Sequence, residues 1–272
     1  MATKPKRIHL TYRYDGRDIP YTMWRNSDDR KVKTVLFLGI VQIDQLAGWV
    51  IESCPPETIV VEGAPYWLAR QDGSDVATFM MTFTKSVFDQ LQAIYDVDNL
   101  HIVAESQAAP GALELFAERQ YQPHLAQLTL LQPLGLNAVA FGGSDDQRMR
   151  TFRRRVGKNV LHQLRNIIID PRLRYNHRLM LRTSKVRGAN VRAHYSVGLQ
   201  HDATVALKKL YAAHKSIRII CGANDKLFPP SELQAVLQQN DIGLTVQLVP
   251  GVPHSPLATK HGQQLLRAAF LE

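Results

Sequence analysis

The sequence opens with alternating apolar and polar positions and then changes to short, continuous apolar runs. The alternating segments, 8–14 and 19–24, are separated by Asp15-Gly16, a dipeptide that favours a tight hairpin turn. The continuous runs that follow cover residues 34–38, 58–61, 100–104, 128–131, 217–221 and 244–249. Runs of this kind are typical of strands that are buried on both faces of a parallel sheet.

Apolar residues between these runs recur at the spacing of a helix. The helix-like stretches cover residues 86–95, 111–121, 230–237 and 261–271. A chain that alternates strands with helices forms a helix-covered sheet, because each crossover between parallel strands must pass over one face. We therefore predict an α/β protein with a mostly parallel central sheet and helices on both of its faces.

One interval, 138–213, lacks this alternation, and we interpret it as a helical cap inserted into a core domain made of 1–137 and 214–272. The insertion is strongly basic. Fourteen of the 33 Lys and Arg residues lie between Gln147 and Arg192, together with a single acidic residue. Because the whole chain has a net charge of +9, the remainder is slightly acidic, and the positive charge belongs to the cap.

The basic cap has three interpretations, which the sequence leaves open. It is a solvated helical cover, or a surface that attracts an anionic substrate or a membrane with lipid-like esters, or a nucleic-acid site. Nucleic acid is the least favoured partner, because few aromatic side chains accompany the arginines. Peripheral membrane contact stays open, and the sequence predicts no oligomeric state.

Other features bear on the class of protein. No run of about 18 apolar residues occurs, so no membrane-spanning helix is predicted. The N-terminal segment MATKPKRIHL lacks the apolar centre of a secretory signal. Cys54 and Cys221 are the only cysteines, and their separation fits neither a metal motif nor a disulfide framework. We expect a cytoplasmic protein in which both thiols serve as packing residues.

A candidate nucleophile follows the apolar run 100–104. Ser106 lies in the segment AESQA, residues 104–108, where a predicted strand gives way to a helix. A serine on such a sharp turn needs small residues two positions before and two after it, because neighbouring backbone crowds those positions. Alanines occupy both positions here, in place of the glycines of the usual G-x-S-x-G pattern.

Two further candidates follow later apolar runs. Asp225 lies in the segment CGANDKLFPP, before a helix and at the edge of the sheet where open α/β proteins hold their sites. His254 lies in the segment PGVPHSP, a proline-rich loop between the last run and the last helix. An imidazole at this position can transfer protons near neutral pH.

These three segments, taken in order, resemble the α/β-hydrolase superfamily, in its serine-nucleophile branch with a cap insertion. ICGANDKLFPPSEL resembles the acid turn of the family, and VPGVPHSPLATK resembles its histidine loop. The chain order of serine, aspartate and histidine is also that of the family. The resemblance covers residues 1–140 and 214–272, and leaves out only the basic insertion.

The resemblance implies a catalytic triad. Ser106 would attack an acyl carbon as the nucleophile. His254 would take the serine proton and later pass it to the leaving group. Asp225 would hold the imidazole in the correct tautomer and stabilise its charged form.

The resemblance also implies an oxyanion hole made of backbone N–H groups. One donor would be Gln107, directly after the nucleophile, and the other would be Ile40, in the loop after the run 34–38. Val41 is the alternative second donor. Family members often have His-Gly in this loop, and the chain departs from that pattern with Leu38 before its glycine.

The function implied is that of a serine hydrolase that cleaves a carboxylic ester or related acyl substrate through an acyl-enzyme on Ser106. It would need no metal or organic cofactor. Its substrate would be a small acyl compound, anionic or lipid-like if the basic cap takes part in binding. The alternative is a catalytically silent protein of the same fold that binds a partner through the cap. A third interpretation keeps the triad but performs acyl transfer or cleaves a non-ester bond.

Overall fold

The structure of the protein is a computed structural model, and it describes residues 4–39, 44–63, 76–136, 143–172, 174–175 and 201–271. Its strands are β1 (Lys6–Tyr14), β2 (Arg17–Arg25), β3 (Thr34–Phe37), β4 (Thr58–Val61), β5 (Leu100–Glu105), β6 (Leu125–Leu131), β7 (Ser216–Gly222) and β8 (Val246–Val249). Its α-helices are α1 (Asp44–Ile51), α2 (Val76–Ile94), α3 (Ala108–Ala117), α4 (Asp145–Ile169), α5 (Thr204–Ala212), α6 (Pro230–Gln239) and α7 (Lys260–Phe270).

All eight strands belong to one sheet, in the order β1-β2-β4-β3-β5-β6-β7-β8. The β1–β2 hairpin and the β2–β4 pair are antiparallel, and the remaining pairs are parallel. Asp15 and Gly16 both have positive φ, 48° and 73°, which is the backbone of the tight hairpin turn that their sequence favours. The predicted fold class, a mostly parallel sheet with helices, is confirmed.

The two faces of the sheet carry separate apolar cores, because successive strand residues point to opposite sides. Val35 and Ile102 belong to the larger core, which contains the buried residues of α2, α3 and α5. Leu36 and Val103 belong to the smaller core, which contains those of α1 and α7. Strands that are apolar on both faces are therefore explained by helices on both sides.

Two helices differ from the sequence expectation. Helix α2 begins ten residues before the predicted stretch 86–95, and its first half packs Phe79 and Phe83 against Tyr12 of β1. Helix α1 was not predicted, because it is short and contains Gly48. A Cβ on that glycine would lie 3.0 Å from the ring of Trp24, so the glycine permits close packing against β2.

The predicted insertion, 138–213, is described only in part, since its residues 138–142, 173 and 176–200 lie outside the described residues. Its described portion includes α4, a long basic helix, and α5, whose Leu207 and Leu210 are buried in the larger core. The limits of the cap stay a prediction. Within the described residues, no helix combines the length and the apolar character needed to cross a bilayer.

Helix α4 is fastened to the core beside the predicted acid turn. Phe152 of α4 packs in a small apolar cluster with Leu134, Leu227 and Phe228. The guanidinium of Arg155 forms two hydrogen bonds, of 2.8 and 2.7 Å, with the carboxylate of Glu232 on α6. These contacts place α4 over the edge of the sheet where the candidate residues lie.

Candidate active site

The three predicted catalytic residues lie at one edge of the sheet, because the carboxyl ends of parallel strands meet there. Ser106 directly follows β5, Asp225 follows β7 by three residues, and His254 follows β8 by five. β5 and β7 flank β6, and β8 pairs with β7, so the three loops leave neighbouring strands.

Ser106 occupies a sharp turn between β5 and α3. Its φ is +52°, in the left-handed region that non-glycine residues rarely adopt, at a cost of about 1 kcal/mol or more. Its N–H donates to the carbonyl of Leu131 (2.8 Å), and its carbonyl accepts from the N–H groups of Ala109 and Leu134 (3.2 and 3.0 Å). These bonds hold the serine at the carboxyl edge between β5 and β6.

The alanines that flank the turn are tightly packed. Ala104 is fully buried in β5, where it pairs with Phe37 on one side and Leu130 on the other. Ala108 opens α3 and is nearly as buried. Both positions are buried, so a larger side chain at either one would have to displace its neighbours.

Asp225 is fixed by its own turn. Its side chain is fully buried, and its Oδ1 accepts hydrogen bonds from the N–H groups of Leu227 and Phe228, both at 2.8 Å. Two backbone donors stabilise the ionised form of a buried carboxyl. The second oxygen, Oδ2, is thereby directed to a different partner.

That partner is His254, whose Nδ1 lies 2.8 Å from Asp225 Oδ2. Because the carboxylate can only accept, Nδ1 carries the proton, and Nε2 of the neutral ring is left as the basic nitrogen. The ring of Phe228 packs edge-on against the imidazole with a centroid separation of 5.3 Å. The predicted aspartate and histidine are therefore brought together by the fold.

The surroundings of His254 act on its pKa in opposite directions. Burial is the largest single influence and on its own would lower the pKa. The charge and hydrogen bond of Asp225, with a further contribution from the charge of Glu105, outweigh burial and raise the pKa above its ordinary value of 6.5. The site thus favours the imidazolium that forms when histidine takes a proton.

Gln132, a fully buried residue directly after β6, links the histidine loop to the strand that binds Ser106. The Gln132 side chain donates to the carbonyl of Ser255 (3.1 Å) and accepts from its N–H (3.3 Å). Gln132 directly follows Leu131, whose carbonyl binds the Ser106 N–H. Within the part of the chain that the structure describes, the Ser106 hydroxyl is not hydrogen-bonded to the imidazole, a contact that often tightens only when substrate binds.

The predicted oxyanion donors are only partly described. Gln107 is buried and immediately precedes the first turn of α3, where backbone N–H groups favour negative charge. Ile40 and Val41 lie outside the described residues. The residue before them, Gly39, is described, and its N–H donates to Oε2 of Glu105 at 2.5 Å.

Four residues of this region were not singled out from the sequence: Glu105, Gln132, Asn159 and Phe228. Asn159 of α4 donates from Nδ2 to the carbonyl of His254 at 3.3 Å, so α4 contacts the histidine loop directly. Glu105 and Gln132 share one signal that could have found them, since each is a polar residue at the carboxyl end of an apolar run.

The two cysteine thiols do not compete as nucleophiles. Burial raises the pKa of the Cys54 thiol to about 12, and it also raises that of Cys221 well above the ordinary value. Both thiols are therefore protonated at neutral pH and serve as packing residues. Among the described residues, no group of three or more His, Cys, Asp and Glu side chains is placed to bind a metal ion.

No protein-family model matches the sequence, and no curated protein matches it. Solved structures do match the fold across nearly the whole chain. A bromoperoxidase from Bacillus anthracis has a TM-score of 0.64 at 13% identity, and the match covers 97% of this chain and 96% of that one. A thermophilic esterase from Thermogutta terrifontis has a TM-score of 0.62 at 15% identity, with 98% of this chain and 100% of that one covered.

A peroxisomal alpha-beta-hydrolase from Saccharomyces cerevisiae matches with a TM-score of 0.64 at 12% identity, over 98% of this chain and 86% of that one. These matches extend across the sheet, its helices and the region of the predicted cap. The sequence resemblance and the strand order therefore lead to the same result: the chain has the α/β-hydrolase fold.

Proposed function

We propose that this protein is a serine hydrolase that cleaves carboxylic esters or related acyl compounds through an acyl-enzyme on Ser106. The observation that carries the proposal is the 2.8 Å hydrogen bond between Asp225 and His254, at the same edge of the sheet as a serine with left-handed backbone. A buried carboxylate that orients an imidazole in this way prepares it to act as the general base for a serine hydroxyl.

The reaction would proceed in two stages. His254 Nε2 takes the hydroxyl proton as Ser106 Oγ attacks the acyl carbon, and the carbonyl oxygen becomes an oxyanion. The oxyanion collapses, the bond to the leaving group breaks, and the imidazolium returns the proton to that group. A water molecule then repeats the sequence on the acyl-enzyme, which releases the carboxylic acid and restores the serine.

Each partner of Ser106 has a defined part in this scheme. Asp225 keeps the proton on Nδ1 of His254, and it stabilises the imidazolium without taking the proton itself. The N–H of Gln107 is the first oxyanion donor that we propose, because it follows the nucleophile at the start of α3. The second donor that we propose is Ile40.

The solved structures of similar fold support a hydrolase, since an esterase is among them. They do not define the bond that this chain cleaves, so acyl transfer and cleavage of a non-ester bond are alternatives with the same triad. A panel of p-nitrophenyl esters, thioesters and amides, with acyl chains from two to sixteen carbons long, separates these activities by their relative kcat/KM.

A fluorophosphonate probe tests the proposal directly, because it reacts covalently with activated serines. We expect the wild-type protein to be labelled and Ser106→Ala to remain unlabelled, with peptide mapping placing the probe on Ser106. If the folded wild type is not labelled, or if Ser106→Ala is labelled equally, the protein is not a serine hydrolase of this kind. The catalytically silent alternative would then be favoured.

The exposed face of α4 favours a second activity, attraction of an anionic surface or substrate. Some cap arginines serve the structure, since Arg155 binds Glu232 and Arg172 lies over the ring of Trp49. Others are solvent-exposed on α4: Arg150, Arg153, Arg154 and Lys158. Such a positive face attracts anionic lipid or an acidic ester.

Binding to vesicles with and without anionic lipid, at two salt concentrations, tests this face. We expect binding that needs the anionic lipid, weakens with salt, and is reduced in the double variant Arg153→Gln/Arg154→Gln. Arg13→Gln/Arg17→Gln on the β1–β2 hairpin removes the same charge elsewhere and serves as the control. Binding that changes neither with salt nor in the α4 variant would favour the interpretation of the cap as a solvated cover.

A further inference from the structure

Glu105 is a buried carboxylate in a place where burial is costly. It ends β5, directly before Ser106, and only 2% of its surface is exposed. An ionised side chain at such a depth persists only when hydrogen bonds and charges compensate for the water that it has lost. One such bond comes from the Gly39 N–H, which approaches Glu105 Oε2 to 2.5 Å.

The Gly39 contact ties two separate segments of the site together. Gly39 lies two residues beyond β3, at the start of the connection to α1, and Glu105 lies 66 residues later in the chain. The approach is so close that a Cβ on Gly39 would lie 2.6 Å from Glu105 Oε2 and 3.2 Å from Ser106 Cβ. The backbone of Gly39 is therefore packed directly against the carboxylate and against Ser106.

A hydrogen bond at Gly39 fixes the plane of the peptide that joins it to Leu38. Holding that peptide keeps the Gly39 backbone close to the Ser106 turn. The N–H of Gly39 is itself occupied by Glu105, so it is not an oxyanion donor. Its bond instead fixes the position of Gly39 relative to the residue that precedes Ser106.

We propose that Glu105 is a positioning residue, whose carboxylate holds the Gly39 backbone against the turn that carries Ser106. This inference rests on the proposed function, because it assigns a task within the same reaction. It adds a residue that contacts neither substrate nor reacting atoms and acts through the main chain of another segment.

A second effect follows from the charge of Glu105. Two negative groups raise the pKa of His254, namely Asp225, which is hydrogen-bonded to it, and Glu105, which acts through its charge. Phe228 and Asn159, which also contact His254, are uncharged. Removing the Glu105 charge should therefore lower the pKa of His254 while its bond to Asp225 is kept.

Two substitutions separate the anchor from the charge. Glu105→Ala removes both, and we expect kcat to fall roughly 100-fold at little changed KM, because a displaced nucleophile turn weakens transition-state binding rather than substrate binding. Glu105→Gln keeps an oxygen for the Gly39 N–H but loses the charge. We expect it to recover most of the kcat, with the acid limb of its pH–rate profile moved to lower pH.

Glu57→Gln is the matched control, since it removes an equal charge at the opposite edge of the sheet, where Glu57 pairs with Lys33. It should leave kcat, KM and the pH profile unchanged. Gly39→Ala is a second way to break the anchor if Glu105→Ala does not fold, because the added Cβ displaces the carboxylate. We expect it to lower kcat in the same way.

Three outcomes decide the proposal. A fall in kcat for Glu105→Ala or Gly39→Ala, with recovery and a shifted acid limb in Glu105→Gln, supports it. Wild-type kcat and pH profile in all three variants would overturn it, while labelling of Ser106 by the fluorophosphonate would leave the proposed function standing. Absence of both turnover and labelling in the wild type would overturn the proposed function, and the role of Glu105 with it.

Discussion

The two edges of the sheet each contain a largely buried histidine, and the two histidines are shifted in opposite directions. His254, at the carboxyl edge, is hydrogen-bonded to Asp225, and its pKa is raised. His101, at the amino edge, is hydrogen-bonded to Thr129 Oγ1 at 2.8 Å, and burial together with the charge of Arg218 lowers its pKa to about 4. Burial opposes the charged ring at both edges, so the neighbouring charge decides the difference.

The opposite shifts have opposite consequences for stability. A histidine whose pKa is raised on folding contributes stability at low pH and loses it as the pH rises through the folded-state pKa. A histidine whose pKa is lowered contributes stability at high pH and loses it as the pH falls. The carboxyl edge therefore holds a ring prepared to accept a proton, and the amino edge holds one that resists it.

Substitution of the two histidines should separate activity from stability most strongly. We expect His254→Ala to lower kcat roughly 10⁴-fold, because the general base is lost, while the melting temperature stays within a few degrees. His101→Gln should keep kcat close to that of the wild type. Steady-state kinetics and thermal unfolding of both variants test this; a large loss of stability in His254→Ala would indicate a structural histidine instead.

Gln132, which binds the loop of His254, and Thr129, which binds His101, should differ in the same way but by less when each is substituted. Gln132→Ala leaves the Ser255 N–H and carbonyl without their side-chain partner, and we expect kcat to fall roughly 10- to 100-fold as the His254 loop shifts. Thr129→Val keeps its shape but loses the bond to His101, so kcat should be unchanged. Equal kcat in the two variants would contradict the view that Gln132 aligns the site.

The pH dependence of turnover reports on His254 alone if the scheme is correct. The base must be neutral in order to take the serine proton, so kcat/KM should fall about tenfold per pH unit below the pKa of the free enzyme. Because Asp225 and Glu105 raise that pKa, the acid limb should lie above pH 6.5. An acid limb below pH 6 would mean that burial, rather than the two carboxylates, controls the ring.

The smallest expected effect concerns the stability contributed by His101. Between pH 6.5 and about 4 the unfolded chain binds a proton at this residue and the folded chain does not, so stability falls as the pH falls through this window. The shift corresponds to at most about 3 kcal/mol at its acid end. Urea unfolding at several pH values should show a shallower decline for His101→Gln; identical declines would rule out this contribution.

The sequence predicted the frame of the molecule because local pattern determines it. Apolar runs of four to six residues form strands where helices cover both faces of the sheet, and Asp15-Gly16 closes a hairpin by its own backbone preference. The segments around Asp225 and His254 were recognisable because each combines turn residues with one reactive side chain. Each of these signals is contained in one short stretch of consecutive residues.

The parts that escaped prediction depend on contacts between distant segments. Glu105 reads as an ordinary polar residue until Gly39, 66 positions away, is seen to donate to it. Gln132 acquires its role only from Ser255, 123 positions away. The role of Asn159 becomes visible only when α4 is seen to pack onto the histidine loop. Nothing in the local pattern of a basic helix indicates that contact.

The left-handed backbone of Ser106 has a consequence for protein engineering. Glycine adopts a φ of +52° without steric cost, so Ser106→Gly would relieve conformational strain in the same step that removes the proposed nucleophile. A library selected only for thermostability or expression yield would thus be enriched in inactive variants at this position. Selection for thermostability should therefore be combined with an assay of turnover.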